Sequence, residues 1–243
     1  MKKIVFLVLI SIAVFSCTQK DVNQPKAKNV ILLIGDGMGV TQIYAAMSVA
    51  EGALHMEEFK HIGLHKTYSA NDYITDSGAG GTALATGVKT NNSSIGVDPM
   101  GNPLKNILDY AYENQLATGL VSTSSITHAT PASFIAHEKN RNDYENIARD
   151  FLDFDIDVFI GGGKVHFANR KDSLNLIDSL LIKGYHVIDG YENIDVDLEG
   201  KLAVFTAEKH NPEFREGRGD MLPVSTKKAI EFLNKKNKGF FLM

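Results

Sequence analysis

The chain has 243 residues, of which 44% are hydrophobic and 22% charged, and its formal net charge is −4. This composition is typical of a globular protein with a sizeable core. Proteins that bind nucleic acids usually carry a basic surface, whereas this net charge is mildly acidic, so we expect no nucleic-acid partner. A single Cys excludes a disulfide within the chain.

Residues 1–16 are predicted to be a secretory signal peptide of the lipoprotein type. Two lysines precede a nearly continuous apolar stretch, residues 4–15, which is shorter than the ~20 residues that span a bilayer. Cys17 follows and resembles the Cys that bacterial lipoproteins modify with lipid. Ordinary signal-peptidase cleavage, with Cys17 discarded or free, is the alternative. We expect an exported protein, periplasmic or on the outer surface, held to a membrane by lipid on Cys17, with residues 17–28 as a polar tether.

Residues 29–243 are predicted to form one α/β domain, because apolar and amphipathic segments alternate along them. The expected architecture is a three-layer α/β/α arrangement around a mostly parallel central sheet. The predicted strands are residues 30–34, 63–69, 117–123, 158–160, 186–188, 202–205 and 239–243. One predicted helix starts at residue 77. The other predicted helices span residues 41–51, 104–113, 144–154, 174–182 and 225–234.

Asp36 is a candidate cation ligand. It lies between two glycines directly after residues 30–34, a continuous apolar run typical of a strand buried on both faces. Ligands of open parallel sheets bind at the carboxyl ends of the strands. The glycine spacing is not that of a dinucleotide site, and a carboxylate there would repel a pyrophosphate, so a nicotinamide cofactor is excluded. A carboxylate in this position suits a cation, although a βα turn with a capping Asp is an alternative.

Ser77 is a candidate nucleophile. Thr75, Asp76 and Ser77 are suited to cap a helix, and the small residues of 78–83 follow them. Ser77 is therefore predicted to lie in a first helical turn, among free backbone N–H groups that favour an anion. Small neighbours would let a tetrahedral oxyanion approach. An ordinary capped helix, packed closely through its glycines, is the alternative.

These two stretches and four others resemble the alkaline phosphatase family. Any one of them is a weak signal, but they occur in the family's order and at similar spacings from about residue 29 to the end. The matching segments are residues 34–39, 75–83, 86–90, 117–123, 128–132 and 136–141.

The resemblance implies hydrolysis of small-molecule phosphate monoesters through a phosphoserine intermediate, with two zinc ions and one magnesium ion. It makes Ser77 the nucleophile, Asp36 a metal-bridging ligand and Thr130 a hydroxyl near magnesium. Arg141 matches the family's phosphate-binding arginine, and guanidinium can grip two phosphate oxygens at once. Each of the last two residues also has a simpler interpretation. Thr130 could serve only as the N-cap of a helix that begins at the following proline, and Arg141 could be an ordinary solvated side chain.

Two further residues are expected to support the metal ligands without binding metal themselves. Asp76 precedes the nucleophile, and His128 stands where some family members have a carboxylate ligand and others a histidine. His166 and His210 fall outside the matching segments and are assigned no role. The resemblance is also compatible with a homodimer.

The resemblance also predicts an incomplete chain, a fragment or a prematurely ended reading frame, because the family's remaining Asp and His ligands have no counterpart here. We therefore expect the chain alone to be inactive. A sulfatase would need a Pro and Arg signature after the nucleophile, which Ser77 lacks. A phosphodiesterase or mutase of the same superfamily fits the run after Ser77 less well. A non-catalytic, lipid-anchored phosphate-binding remnant remains an alternative.

Overall fold

The computed structural model describes residues 27–243, so the predicted signal peptide and Cys17 lie outside the described residues. The strands are β1 Asn29–Ile31, β2 Ala117–Ser125, β3 Val158–Gly162, β4 Tyr185–Asp189, β5 Lys201–Phe205 and β6 Phe240–Leu242. The helices are α1 Val40–Val49, α2 Ser77–Thr86, α3 Ile107–Glu113, α4 Ala129–Ala132, α5 Tyr144–Asp153, α6 Val165–Ala168, α7 Leu176–Ile182 and α8 Met221–Asn234. None of these helices is long and apolar enough to cross a membrane.

The six strands form one sheet in the order β1-β6-β2-β3-β5-β4. Every strand pair in it is parallel, as expected where helices connect successive strands. The sheet with its flanking helices confirms the predicted α/β class. All the carboxyl ends of its strands therefore meet at one edge, where ligands of such sheets bind.

Both faces of the central strands are covered, but by different numbers of helices. Successive side chains of a strand point to opposite faces. In β3, Phe159 joins the larger core cluster, to which helices α2 to α7 contribute. Val158 and Ile160 join the second cluster, which includes Phe232 and Leu233 of α8. The chain thus builds a three-layer core around β2, β3, β5 and β6.

Two strand predictions were wrong. Residues 63–69 form no strand, because no strand of the described sheet lies beside them to share ladder hydrogen bonds. The first strand is shorter than predicted, and it is not buried on both faces: Val30 is 42% and Ile31 is 44% exposed. The continuous apolar run predicted a central strand, but β1 lies at the edge of the described sheet.

Candidate active site

Three side chains from distant parts of the sequence meet beyond the carboxyl ends of β1 and β2. Asp36 follows β1, Ser77 is the first residue of α2, and Thr130 lies in α4, which follows β2. Ser77 Oγ donates to Asp36 Oδ1 at 3.3 Å, and Thr130 Oγ1 donates to Asp36 Oδ2 at 3.0 Å. Both carboxylate oxygens therefore face a hydroxyl. The Ser77 bond is longer than the usual O–H···O distance, so that hydroxyl is held loosely.

Asp76 caps α2 and ties the helix start to a neighbouring loop. Its carboxylate accepts from the backbone N–H of Ala79 and of Ser93, both at 2.9 Å, and from Arg141 Nη1 at 3.1 Å. Burial alone would raise the pKa of Asp76, but these hydrogen bonds outweigh it and hold the pKa below its usual 3.8. Asp76 is therefore a carboxylate at neutral pH, and it fixes the turn that presents Ser77.

Arg141 is held against the site by two partners. It forms an ion pair with Asp76, and its side chain is only 18% exposed, which contradicts the alternative of a solvated arginine. Its Nη2 lies 3.4 Å from His128 Nε2. Because guanidinium can only donate, His128 Nε2 is the acceptor of this contact. Burial and the charge of Arg141 both lower the pKa of His128, as this role requires.

Helix α2 can approach α4 closely because Gly81 has no side chain. A Cβ at Gly81 would lie 2.8 Å from Ser133 Oγ, whereas a Cβ at Gly80 would lie 3.8 Å from its nearest neighbour, Thr75 Oγ1. The Ser133 hydroxyl is itself fixed, since it donates to the carbonyls of Ala129 and Gly78. This approach sets the separation between the helices that carry Ser77 and Thr130.

We predict that Gly81→Ala destabilises the fold by about 1–3 kcal/mol, because the added methyl overpacks the contact with Ser133. The matched change Gly80→Ala should instead leave stability unchanged or raise it by up to about 1 kcal/mol, since alanine is the better helix former. Urea unfolding of the two variants measures the difference. Equal stabilities would show that the two helices can separate at no cost.

The ion pair of Asp76 predicts a pH-dependent stability. A carboxyl whose pKa is lower in the folded than in the unfolded chain stabilises the fold above its unfolded pKa and ceases to do so as the pH falls. Wild-type chain should therefore be more stable than Asp76→Asn near neutral pH, with a difference that shrinks as the pH falls below 3.8. Urea unfolding over this range provides the measurement. A difference that is constant with pH would contradict the prediction.

His210 reaches the site although the sequence analysis assigned it no role. The backbone N–H of Ser125, at the end of β2, donates to His210 Nδ1 at 3.1 Å. The ring meets that of His128 edge to face, with centroids 5.1 Å apart. His210 therefore packs behind the histidine that contacts Arg141. It stands in a polar stretch without periodicity, and only the three-dimensional fold brings it to β2.

His166 is the second histidine that sequence reasoning missed. Its Nδ1 lies 2.7 Å from Thr127 Oγ1, and its ring stacks on Tyr144 with centroids 4.7 Å apart. Burial and the charge of His210 lower the pKa of His166 to about 4. This imidazole is neutral at physiological pH and braces the segment between β2 and α4.

The described residues place two oxygen donors, Asp36 and Thr130, beside each other. Within residues 27–243, no group of three or more His, Cys, Asp or Glu side chains could hold a metal ion. The Asp36 carboxylate and the Thr130 hydroxyl are oxygen donors, which suit a hard cation such as magnesium. Zinc is usually held by three or four protein ligands that include nitrogen or sulfur. The donor chemistry therefore fits a cation at Asp36, but the described part of the chain does not complete a zinc site.

Comparison with known proteins gives one consistent family. The family model for alkaline phosphatase matches residues 27–243. Alkaline phosphatase 3 of Bacillus subtilis is 38% identical over 93% of this chain, and alkaline phosphatase of Escherichia coli K12 is 33% identical over 89%. The chain spans only 52% and 59% of the lengths of these two relatives.

Solved structures agree with this family assignment. The alkaline phosphatase of the Antarctic bacterium TAB5 is 42% identical, with a TM-score of 0.85 over 89% of this chain and 64% of that protein. A histidine-to-aspartate variant of the TAB5 enzyme contains magnesium bound in its M3 site. The similarity therefore extends from the sequence to the three-dimensional arrangement of most of the described residues.

Proposed function

The chain belongs to the alkaline phosphatase family, and on that premise we propose that it forms part of a phosphomonoesterase that acts through a phosphoserine intermediate. The observation that carries the proposal is the convergence of Ser77, Asp36 and Thr130. The hydroxyl of Ser77 stands at a helix start, bonded to the Asp36 carboxylate. Arg141 is tied to the residue directly before Ser77. In this proposal Ser77 is the nucleophile, Asp36 accepts its proton and the Arg141 guanidinium binds the phosphate.

In this proposal Ser77 Oγ attacks the phosphorus of the monoester. An O–P bond forms to Ser77 while the bond to the alcohol breaks, and the alcohol leaves with a proton. A serine hydroxyl is a weak nucleophile until its proton has an acceptor, and Asp36 Oδ1 is the carboxylate oxygen it faces. Water then cleaves the phosphoserine and releases phosphate.

Arg141 and the start of α2 stabilise the anion during both steps. The guanidinium has five N–H donors, and its contacts with Asp76 and His128 leave others for phosphate oxygens. The first N–H groups of α2 have no partner within the helix and lie at the positive end of its dipole. The Ser77 N–H is one of these, so the nucleophile and the anion site share one helical turn.

We further propose two zinc ions and one magnesium ion as cofactors, by analogy with the family. Such ions neutralise phosphate charge and favour deprotonation of a hydroxyl or water. Asp36 and Thr130 are the described residues that would hold these ions. Asp76 and His128 would support the site without binding the ions themselves. The magnesium in the TAB5 variant supports the magnesium assignment.

The test uses a fusion of this chain to the part of the TAB5 enzyme that it does not match, called the completed enzyme below. It is incubated with labelled phosphate monoester and quenched in acid, and the labelled peptide is identified by mass spectrometry. We expect the label on Ser77. Label trapped on any other residue would overturn the proposed nucleophile, and phosphate binding without turnover would favour the non-catalytic alternative.

We also propose that the protein is exported as a lipoprotein, with residues 1–16 removed and Cys17 lipidated. The polar residues 17–28 would tether the domain to the membrane, in the periplasm or at the outer surface. One acyl chain anchors only marginally, so Cys17 should carry more than one. Wild-type protein should partition with membranes, and Cys17→Ser should not. An unmodified Cys17 in the mature protein, detected by mass spectrometry, would contradict this.

A further inference from the structure

Tyr144 contacts two histidines of the site through its ring, although the proposed mechanism does not use it. The Tyr144 ring is stacked on that of His166, with centroids 4.7 Å and planes 16° apart. It is also stacked on His128, with centroids 6.5 Å and planes 25° apart. Both distances lie in the range where aromatic rings attract each other. Since His128 Nε2 accepts from Arg141 Nη2 at 3.4 Å, Tyr144 is one ring away from the proposed phosphate-binding group.

The Tyr144 ring is held in place because the start of α5 is fixed from outside the helix. Tyr144 is the first residue of α5, and the side chain of Asp143 before it makes no capping hydrogen bond. Arg170 Nη1, however, donates to the carbonyl of Glu145 at 2.6 Å. The backbone N–H of Lys171 donates to Glu145 Oε1 at 3.0 Å. These two residues, which follow α6, therefore fix the first turn of α5 and the position of its first side chain.

Arg170 also fixes the backbone of His166, on whose ring Tyr144 stacks. Its Nη1 donates to the carbonyl of His166 at 3.1 Å. The Arg170 side chain is only 1% exposed, so its charge has to be paired and its donors satisfied. Asp172 pairs with it, since Arg170 Nε donates to Asp172 Oδ1 at 2.9 Å and Nη2 to Oδ2 at 2.7 Å. A single buried cation therefore anchors the backbone beside both stacked rings.

We propose that Tyr144 is a positioning residue for phosphate binding, which acts on Arg141 through His128. His128 can accept from Arg141 only while its imidazole points Nε2 at the guanidinium. Two rings limit the orientation of that imidazole, the stacked ring of Tyr144 and the ring of His210, which meets it edge to face. Without the Tyr144 ring the imidazole would turn, and Arg141 would keep Asp76 but lose its second partner. A guanidinium that has to be ordered on binding holds phosphate less tightly.

The inference rests on the proposed function, which makes Arg141 the phosphate-binding residue. The test uses the completed enzyme with inorganic phosphate as the probe. Tyr144→Leu removes the ring and should raise the dissociation constant for phosphate, measured by calorimetry, about two- to tenfold. KM for an aryl phosphate monoester should rise by a similar factor, with a smaller change in kcat. Tyr144→Phe keeps the ring and should behave as the wild type.

Tyr191→Leu is the matched control for Tyr144→Leu. Tyr191 is likewise a partly buried tyrosine, but it packs against the second core cluster, whereas Tyr144 packs against the larger one. Both variants exchange a partly buried ring for a smaller apolar side chain. Tyr191→Leu should leave phosphate binding unchanged.

Two further variants show whether the effect passes through Arg141. In an Arg141→Ala background, Tyr144→Leu should cause no further loss of phosphate affinity, because the group that it positions is gone. Asp172→Asn loosens the anchor of Arg170 while every ring stays in place, and it should weaken phosphate binding about twofold. This variant reports even if Tyr144→Leu does not fold.

Phosphate affinity can be measured without turnover, so a failure of the phosphoserine mechanism would not hide the result. The inference is overturned if a folded Tyr144→Leu or Asp172→Asn enzyme binds phosphate as tightly as the wild type. It is overturned equally if Tyr144→Phe or Tyr191→Leu causes the same loss as Tyr144→Leu. A loss that persists in full without Arg141 would also overturn it.

Discussion

Replacement of Ser77 by Ala in the completed enzyme is expected to abolish the phosphoserine and to lower kcat/KM at least about a thousandfold. In the proposed mechanism the Ser77 hydroxyl forms the covalent bond to phosphorus, and alanine offers no nucleophile in its place. Alanine fits the first turn of α2, so the helix and its Asp76 cap should persist. Arg141 and the helix N–H groups would also remain, and phosphate should still bind. Steady-state kinetics and acid-quenched labelling measure the two losses.

Ser179→Ala is the matched control for this variant. Ser179 lies in α7, and a change there should leave turnover and labelling as in the wild type. The comparison separates loss of the nucleophile from a general loss of folded protein. If Ser77→Ala retains a phosphorylated intermediate, the covalent step belongs to another residue and the proposed chemistry is wrong.

The local parts of the site could be predicted from the sequence because each depends on a short stretch. A carboxylate between glycines after an apolar run indicated Asp36 at a strand end. A capping triplet before small residues indicated Ser77 in a first helical turn, and the structure places it there. The order of the motifs, through the family resemblance, suggested that Thr130 and Arg141 would join them. The structure adds the distances, which no local pattern contains.

What the sequence could not supply depends on pairing between distant segments. His210 lies 85 positions from Ser125, its hydrogen-bond partner, within a stretch that has no helical or strand period. Burial likewise depends on neighbours. Residues 30–34 read as a fully buried strand, yet β1 has a described partner on one side only, β6. Residues 63–69 alternate like a strand but have no ladder to join.

Asp36→Asn in the completed enzyme is expected to remove bound metal while the fold persists, and to lower kcat/KM at least about a hundredfold. The amide has the size of the carboxylate but no charge. One of its two positions is a donor, so it cannot accept from both Ser77 and Thr130 as the carboxylate does. Cation affinity should therefore fall, and the Ser77 hydrogen should lose a charged acceptor.

The measurements for Asp36→Asn separate metal from fold. Metal content by mass spectrometry should drop relative to the wild type, whereas circular dichroism should show unchanged secondary structure, because Asp36 is an exposed residue of the described unit. The thermal midpoint should fall only by the stabilisation that the bound metal supplied. Asp178→Asn is the matched control, since Asp178 is an exposed carboxylate in the first turn of α7. It should keep both metal and activity. If Asp36→Asn retained full metal content and activity, the carboxylate beside Ser77 would be a helix-positioning group, and the cation site would have to be built from other residues.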